Sequence, residues 1–104
     1  MKTVEIIAEI ANAHQGCTEL AYELAEKAAK AGAESIKYQI YFADELLVEK
    51  HPRFLHFKKQ SFSEKEWTRL IRKSQDLGVK IYCDIFGEKA LKLANSLNID
   101  GFKI

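Results

Sequence analysis

Cysteine is scarce in this 104-residue chain: Cys17 and Cys83 stand far apart, with no C-x-x-C pair and no Cys/His ligand spacing. Neither a disulfide framework nor a zinc site follows from them, and a reducing, cytoplasmic setting fits best. An excess of one charge is missing as well. The formal net charge is +1, with both signs mixed along the chain, so no basic stripe offers itself to a phosphate backbone and nucleic acid is not an expected partner. No apolar run reaches the roughly 18 residues of a membrane span. The opening Met1-Lys2-Thr3-Val4-Glu5 meets an acid before any apolar signal core can build, so no targeting or membrane association is expected. The glycine-rich phosphate loops and the nucleophile elbow (G-x-G-x-x-G, the P-loop and G-x-S-x-G) are absent too. With a single proline and no low-complexity stretch there is no linker, and a composition of 47% hydrophobic and 30% charged residues describes one globular unit over residues 1–104.

What is present is alternation. Val4 to Ile10 (VEIIAEI) is a short β-branched run that reads as a strand largely buried on both faces. A small-residue loop, Ala11 to Cys17, leads to Thr18, which opens a helix. Its Leu20, Ala21, Leu24, Ala25, Ala28 and Ala29 fall at helical spacing, Glu19 lies in the first turn, Lys27 and Lys30 in the last, and Gly32 is the stop. Ser35 to Ile40 (SIKYQI) is a second strand. The mixed stretch from Tyr41 to Phe62, interrupted by Pro52, is expected to be a long loop with little regular structure. Ser63 and Glu66 make a capping box, flanked by Phe62 and Trp67 in the positions of a hydrophobic staple, so a helix begins near Glu64, and Gly78 ends it. Val79 to Asp84 (VKIYCD) is a third strand, Glu88 to Leu97 a third helix with Leu91, Ala94 and Leu97 on one face, and Gly101 to Ile104 starts a fourth strand. The order β-α-β-α-β-α-β with short helix-to-strand turns implies a parallel α/β sheet with right-handed crossovers. An open doubly wound sheet and a closed barrel both satisfy it.

Polar side chains inside buried strands are costly unless paired, and here they gather at the C-terminal strand ends as Glu9, Lys37, Gln39, Asp84 and Lys103. With a strand period of two, Ile7 and Glu9 share one face of the first strand, and Lys37 and Gln39 share one face of the second. Barrels keep their catalytic groups at that end, and open sheets keep their binding crevice there. Two lysines converging with a carboxylate and an amide suit a small anion, a phosphorylated or carboxylated metabolite. The alternative is that these residues pair with one another as structural glue. His14, on the loop after the first strand, either orients a substrate or caps its loop. His51 and His56 match no ligand spacing and read as solvated, Phe54, Phe57 and Phe62 as packing the long loop down, and Cys83 as an inert core thiol.

At these residues the chain resembles the family of N-acetylneuraminate (sialic acid) synthases and the related synthases for other nonulosonic acids and spore-coat polysaccharide. The resemblance runs from Ile6 to Ile104. It rests on Ile7-Ala8-Glu9-Ile10 followed by His14-x-Gly16, on Ala31-Gly32-Ala33 leading into Ile36-Lys37-Tyr38-Gln39, on Phe62-Ser63-x-x-x-Trp67, and on Gly101-Phe102-Lys103-Ile104. It implies the first half of a TIM (β/α)8 barrel, broken off at its fourth strand. It also implies condensation of phosphoenolpyruvate with an N-acylated amino sugar such as N-acetylmannosamine. A divalent metal, manganese or magnesium, would assist from ligands outside this chain, and the full-length protein would be a cytoplasmic homodimer.

Carried over by position, Lys37 and Lys103 look like binders of phosphoenolpyruvate. Glu9 looks like the catalytic carboxylate that holds the sugar, Gln39 like its polar neighbour, and His14 and Phe86 like further substrate contacts. Two departures stand out. Family members usually have Gly-x-Asn-His where this chain has Ala11-Asn12-Ala13-His14, and Ser-Thr-Pro-Phe where it has Cys83-Asp84-Ile85-Phe86, which puts a carboxylate near the expected phosphate pocket. Two rival readings are another barrel synthase that uses phosphoenolpyruvate and a non-catalytic half-barrel that serves assembly. On the synthase reading, the 104-residue chain by itself is expected to be inactive.

Overall fold

The computed structural model describes residues 4–104; Met1–Thr3, the start of the opening without a signal core, lie outside them. In chain order the elements are β1 (Ile7–Glu9), α1 (Thr18–Lys30), β2 (Ser35–Tyr41), α2 (Ala43–Leu46), α3 (Phe54–Gln60), α4 (Glu64–Gln75), β3 (Lys80–Phe86), α5 (Glu88–Ser96) and β4 (Gly101–Lys103). The strands form one sheet in the order β1-β2-β3-β4, every pair parallel, as the β-α alternation implies. No helix among the described residues is long and apolar enough to cross a membrane.

The parallel register sorts the two faces. Ile36, Tyr38 and Ile40 on β2 lie beside Ile81, Cys83 and Ile85 on β3. This outer face is buried under Ala21 and Ala25 of α1, Trp67, Leu70 and Ile71 of α4, and Ala90 and Ala94 of α5. The alanines let the helix backbones approach the sheet, and Trp67 fills the wider space, with its ring 6.0 Å from that of Tyr38. Tyr38 also reaches Ser74, O to O at 2.6 Å. Because the Ser74 hydroxyl already donates to the Leu70 carbonyl at 2.8 Å, the phenol is the donor of this pair. Burial pushes the Tyr38 phenol up to about 12, so it stays protonated and keeps donating.

Local rules explain the helix starts. The capping box is complete, with the Glu66 N–H donating to Ser63 Oγ at 3.1 Å and the Ser63 N–H to Glu66 Oε1 at 2.9 Å. Phe62 and Trp67 close the staple with ring centroids 4.8 Å apart. Helix α5 lacks a cap of its own, since Gly87 has no side chain. Glu45 of α2 supplies one from outside, accepting the N–H groups of Lys89 at 2.8 Å and Ala90 at 3.3 Å.

The structure corrects the sequence expectations in four places. The stretch from Tyr41 to Phe62 is not structureless but carries α2 and α3. Phe54 and Phe57, three apart, give α3 an inward stripe, and Pro52 sits just ahead of its first turn, where a missing N–H costs nothing. Strand β1 is shorter than Val4–Ile10 and is not buried on both faces: Ile6 and Ile7 are exposed, because β1 pairs only with β2. Strands β2 and β3 run on to Tyr41 and Phe86, past the expected ends at Ile40 and Asp84. Finally, α5 buries Ala90 and Ala94, with Leu97 buried just past its end, while Leu91 points outward, about one residue's rotation off that face.

Gly16 fixes how the loop after β1 meets α3. Its φ is +80°, and a Cβ there would lie 2.3 Å from the Lys59 carbonyl oxygen. We expect Gly16→Ala to lower stability by about 2 kcal/mol or more, from backbone strain together with that clash. Ser63→Ala should cost about 1 kcal/mol through loss of the cap. Urea unfolding followed by tryptophan fluorescence measures both, and equal costs at the two positions would contradict this account.

Candidate active site

The other face of the sheet is polar. Register stacks Ile7, Ser35 and Lys80 in one row, Glu9, Lys37, Tyr82 and Gly101 in the next, then Gln39, Asp84 and Lys103, with Tyr41 and Phe86 at the C-terminal end. Side chains two apart on one strand share this face, so Ile7 with Glu9 and Lys37 with Gln39 lie as the strand period predicts, and the parallel register sets Glu9 beside Lys37.

Lys37 is the centre of the arrangement. Its ammonium lies 3.3 Å from Glu9 Oε1 and 3.4 Å from Asp84 Oδ1, with Glu9 directly beside it in the register and Asp84 one row nearer the C-terminal end. The Lys37 and Asp84 side chains are only 15% and 10% exposed, whereas Glu9 is 54% exposed, so one carboxylate is buried with the lysine and the other faces open space. Asp84 Oδ1 meets the Lys37 ammonium as a close ion pair. Burial pulls the Lys37 pKa down, but the hydrogen bond to Glu9 and the charges of Asp84 and Glu9 more than offset this, and the net shift is upward. The lysine is therefore a fixed cation. Cys83, on the opposite face of the same strand, is pushed up to about 12 by burial and by the Asp84 charge, which keeps it a neutral core thiol.

The remaining candidates lie at different places. Gln39 is half-buried beside Asp84, and Lys103 is exposed on β4 in the same row, making none of the ion pairs seen among the described residues. Phe86 is 41% exposed at the C-terminal end. His14 is not gathered with them: it is fully buried against Phe62 and Trp67, with ring centroids 4.5 and 6.4 Å away, and its Nδ1 accepts the Gly16 N–H at 3.0 Å. His51 and His56 are exposed, as expected, although His56 stands on α3 and not in a loop.

Sequence reasoning passed over several members of the polar face. Tyr41 donates to Asn12 Oδ1 at 3.3 Å and packs edge-on to Phe57, roofing the C-terminal end. Below the lysine, the Glu5 carboxylate accepts the hydroxyls of Ser35 and Tyr82. Extending the period of two from Gln39 to Tyr41, and from Asp84 back to Tyr82, would have found both tyrosines. A separate groove of about 360 Å³ lies between α1 and α4, bordered by Tyr22, Arg69 and Lys73. It belongs to the helix layer, where Lys73 stacks over the Tyr22 ring at 4.2 Å, and it contains none of the strand-end groups.

With this geometry in hand, the model of the NeuB family matches residues 24–104. The chain belongs to the NeuB family. Among curated relatives, an uncharacterized protein of Methanocaldococcus jannaschii is 30% identical over 99 residues, 95% of this chain and 29% of the relative. N-acetylneuraminate-9-phosphate synthase of Drosophila melanogaster is 27% identical over 117 residues, 98% of this chain and 31% of the relative.

Among solved structures, the N-acetylneuraminic acid (sialic acid) synthetase of Leptospira borgpetersenii, in complex with citrate, superposes with a TM-score of 0.89 at 29% identity. That match covers 99% of this chain and 36% of the synthetase. The spore coat polysaccharide biosynthesis protein spsE of Bacillus subtilis gives a TM-score of 0.69 at 28% identity, covering 95% of this chain and 28% of its own. The four parallel strands are thus the N-terminal part of a TIM-barrel synthase fold. This NeuB-family chain spans about three-tenths of the length of the curated relatives it matches.

His14 yields a pH prediction. Burial lowers its pKa below the ordinary 6.5, and the Gly16 N–H occupies Nδ1, so the imidazole is neutral with its proton on Nε2. A depressed folded-state pKa stabilises the fold above pH 6.5, and that contribution is lost as pH falls through the folded-state value. Urea midpoints measured from about pH 7.5 down to about pH 5.5 should fall, and His14→Phe should flatten that slope. An unchanged slope in the variant would remove His14 from the account.

Proposed function

We propose that this chain forms the first half of the active site of a synthase that condenses phosphoenolpyruvate with an N-acylated amino sugar such as N-acetylmannosamine. The product would be a sialic acid or a related nonulosonic acid. The observation that carries the reading is the convergence of Lys37, Glu9 and the Lys103 position on the open polar face of a chain of this family. Phosphoenolpyruvate brings a carboxylate and a phosphate, and two ammonium groups are the point charges that such a ligand needs. Glu9 is exposed enough to accept hydrogen bonds from sugar hydroxyls while still touching Lys37. In the proposed reaction the methylene carbon of phosphoenolpyruvate bonds to the sugar aldehyde carbon, whose oxygen takes a proton; water adds to the carbon bearing the phosphate ester, and breaking of that ester C–O bond releases phosphate.

Gln39 is the polar neighbour of that pair, and Phe86, exposed at the strand ends beside the roof made by Tyr41, offers an apolar contact to the ligand. His14 supports the site indirectly by holding the loop after β1 against Phe62. A divalent metal is part of the proposed chemistry. Among the described residues, however, no group of three or more His, Cys, Asp or Glu side chains could hold one. Two free cysteines, one exposed and one buried, agree with a cytoplasmic setting.

The test is a fusion in which this chain replaces the matching N-terminal part of the Leptospira synthetase, assayed for phosphate release from phosphoenolpyruvate with N-acetylmannosamine and manganese. We expect turnover by the fusion and none by the 104-residue chain alone. Lys37→Ala in the fusion should lower kcat/KM by about a hundredfold or more, on the scale of losing an electrostatic contact to a transferring group. A folded fusion without turnover, or full activity in the Lys37→Ala protein, sinks the reading.

A further inference from the structure

A cation meant for an anionic ligand is here already paired, and one of its two partners is buried with it. Lys37 carries one positive charge, while Glu9 and Asp84, within 3.3 and 3.4 Å of its ammonium, carry two negative ones. The half of the face between β1 and β3 therefore has a formal charge of −1, whereas Lys103, in the row of Asp84 on β4, stands exposed and pairs with neither carboxylate. Glu9, half in solvent, can swing away or be screened when a ligand enters. Asp84, one-tenth exposed in the strand interior, has no such freedom. An incoming anion at Lys37 thus meets a resident counter-ion that it cannot displace; attraction to the ammonium and repulsion from the carboxylates both scale with its charge, so with two carboxylates to one lysine the net opposition doubles for a dianion.

We propose that Asp84 is a specificity-determining residue that admits a monoanionic group at Lys37 and rejects a dianionic one, leaving the more highly charged group to Lys103. On the synthase reading, on which this inference rests, Asp84 then orients phosphoenolpyruvate with its carboxylate toward Lys37 on β2 and its phosphate toward β4. The discrimination needs no conformational change. It follows from where the charges are fixed: a buried carboxylate in the row of Gln39 and Lys103, diagonal to the lysine it faces.

Two small probes, pyruvate for the monoanion and inorganic phosphate for the dianion, test this on the whole chain at about pH 8.5, where phosphate is doubly charged and lysine is still protonated. The readouts are the side-chain carbon resonances of Lys37 and Lys103, followed by NMR. In the unaltered protein, pyruvate should perturb Lys37 at lower concentration than phosphate does, and phosphate should perturb Lys103 first. Asp84→Asn and Asp84→Thr should each strengthen phosphate binding at Lys37, on the order of tenfold, and pyruvate binding by no more than about threefold. Two neutral replacements guard against one of them misfolding, because Glu9 remains to pair with Lys37 in either.

Phosphate binding at Lys37 that is unchanged or weaker in the folded variants overturns the proposal. So does an equal gain for both ions, or the absence of any response of Lys37 to either ion in all three proteins. Failure of the synthase reading shows up separately, as a fusion that binds both ions in this pattern yet does not turn over.

Discussion

A lysine placed in the middle of a parallel sheet must be neutralised by its neighbours, and everything on the polar face follows from that requirement. The Lys37 ammonium can reach a carboxylate on β1 and another on β3 only when Glu9 sits beside it and Asp84 beside Gln39. Slipping either pairing by one residue would turn the lysine into the space filled by Ile36, Tyr38 and Ile40, where an unpaired charge is prohibitive. The apolar rows on the outer face demand the same register. Charge on one side of the sheet and packing on the other therefore select a single alignment, and this is why a strand as short as β1 is held in place. Strand β4 is tied instead through Asp100, whose carboxylate accepts the Ile81 N–H and whose own N–H donates to the Ile81 carbonyl, both at 2.8 Å.

The two faces divide the work. The outer face holds the fold together through close helix-to-sheet contact at Ala21, Ala25, Ala90 and Ala94, the aromatic filling at Trp67, and the donor-acceptor chain from Tyr38 through Ser74 to Leu70. The inner face contributes little to the main core and carries the ionisable groups. A change of charge at a position such as Asp84 can therefore alter the site while the α/β framework persists.

Much of this was legible in the sequence because it is written in short-range patterns. The Ser63-Glu66 capping box, the glycines at the helix ends and the alternation within SIKYQI each need only neighbouring residues to be read. The same period exposed Lys37 and Gln39 as sharers of one face of β2, while the register that brings Glu9 beside Lys37 comes from the strand pairing. Helices α2 and α3 were hidden because pieces this short do not hold alone. They exist through distant contacts: Gly16 against Lys59, Phe57 on Tyr41, and Glu45 on the start of α5. His14 was ambiguous for a related reason, since its surroundings are supplied by Phe62 and Trp67 from far along the chain. The pairing of Asp84 with Lys37 also lay beyond sequence, because it depends on which row each strand end occupies.

Glu45 has a wider consequence. By capping α5 it joins the excursion after β2 to the following β/α unit, and Gly87 keeps that joint open, because a Cβ there would lie 2.5 Å from the Glu45 carboxylate. Modular exchange of loops between barrels assumes that each β/α unit carries its own rim. Here the segment from Ala43 to Gln60 is not a free module: transplanting it, or replacing it, strips a cap from a helix encoded far downstream. Recombination within such proteins would be tolerated more readily at the helix-to-strand turns than inside this excursion, so the unit of inheritance at this rim spans two repeats.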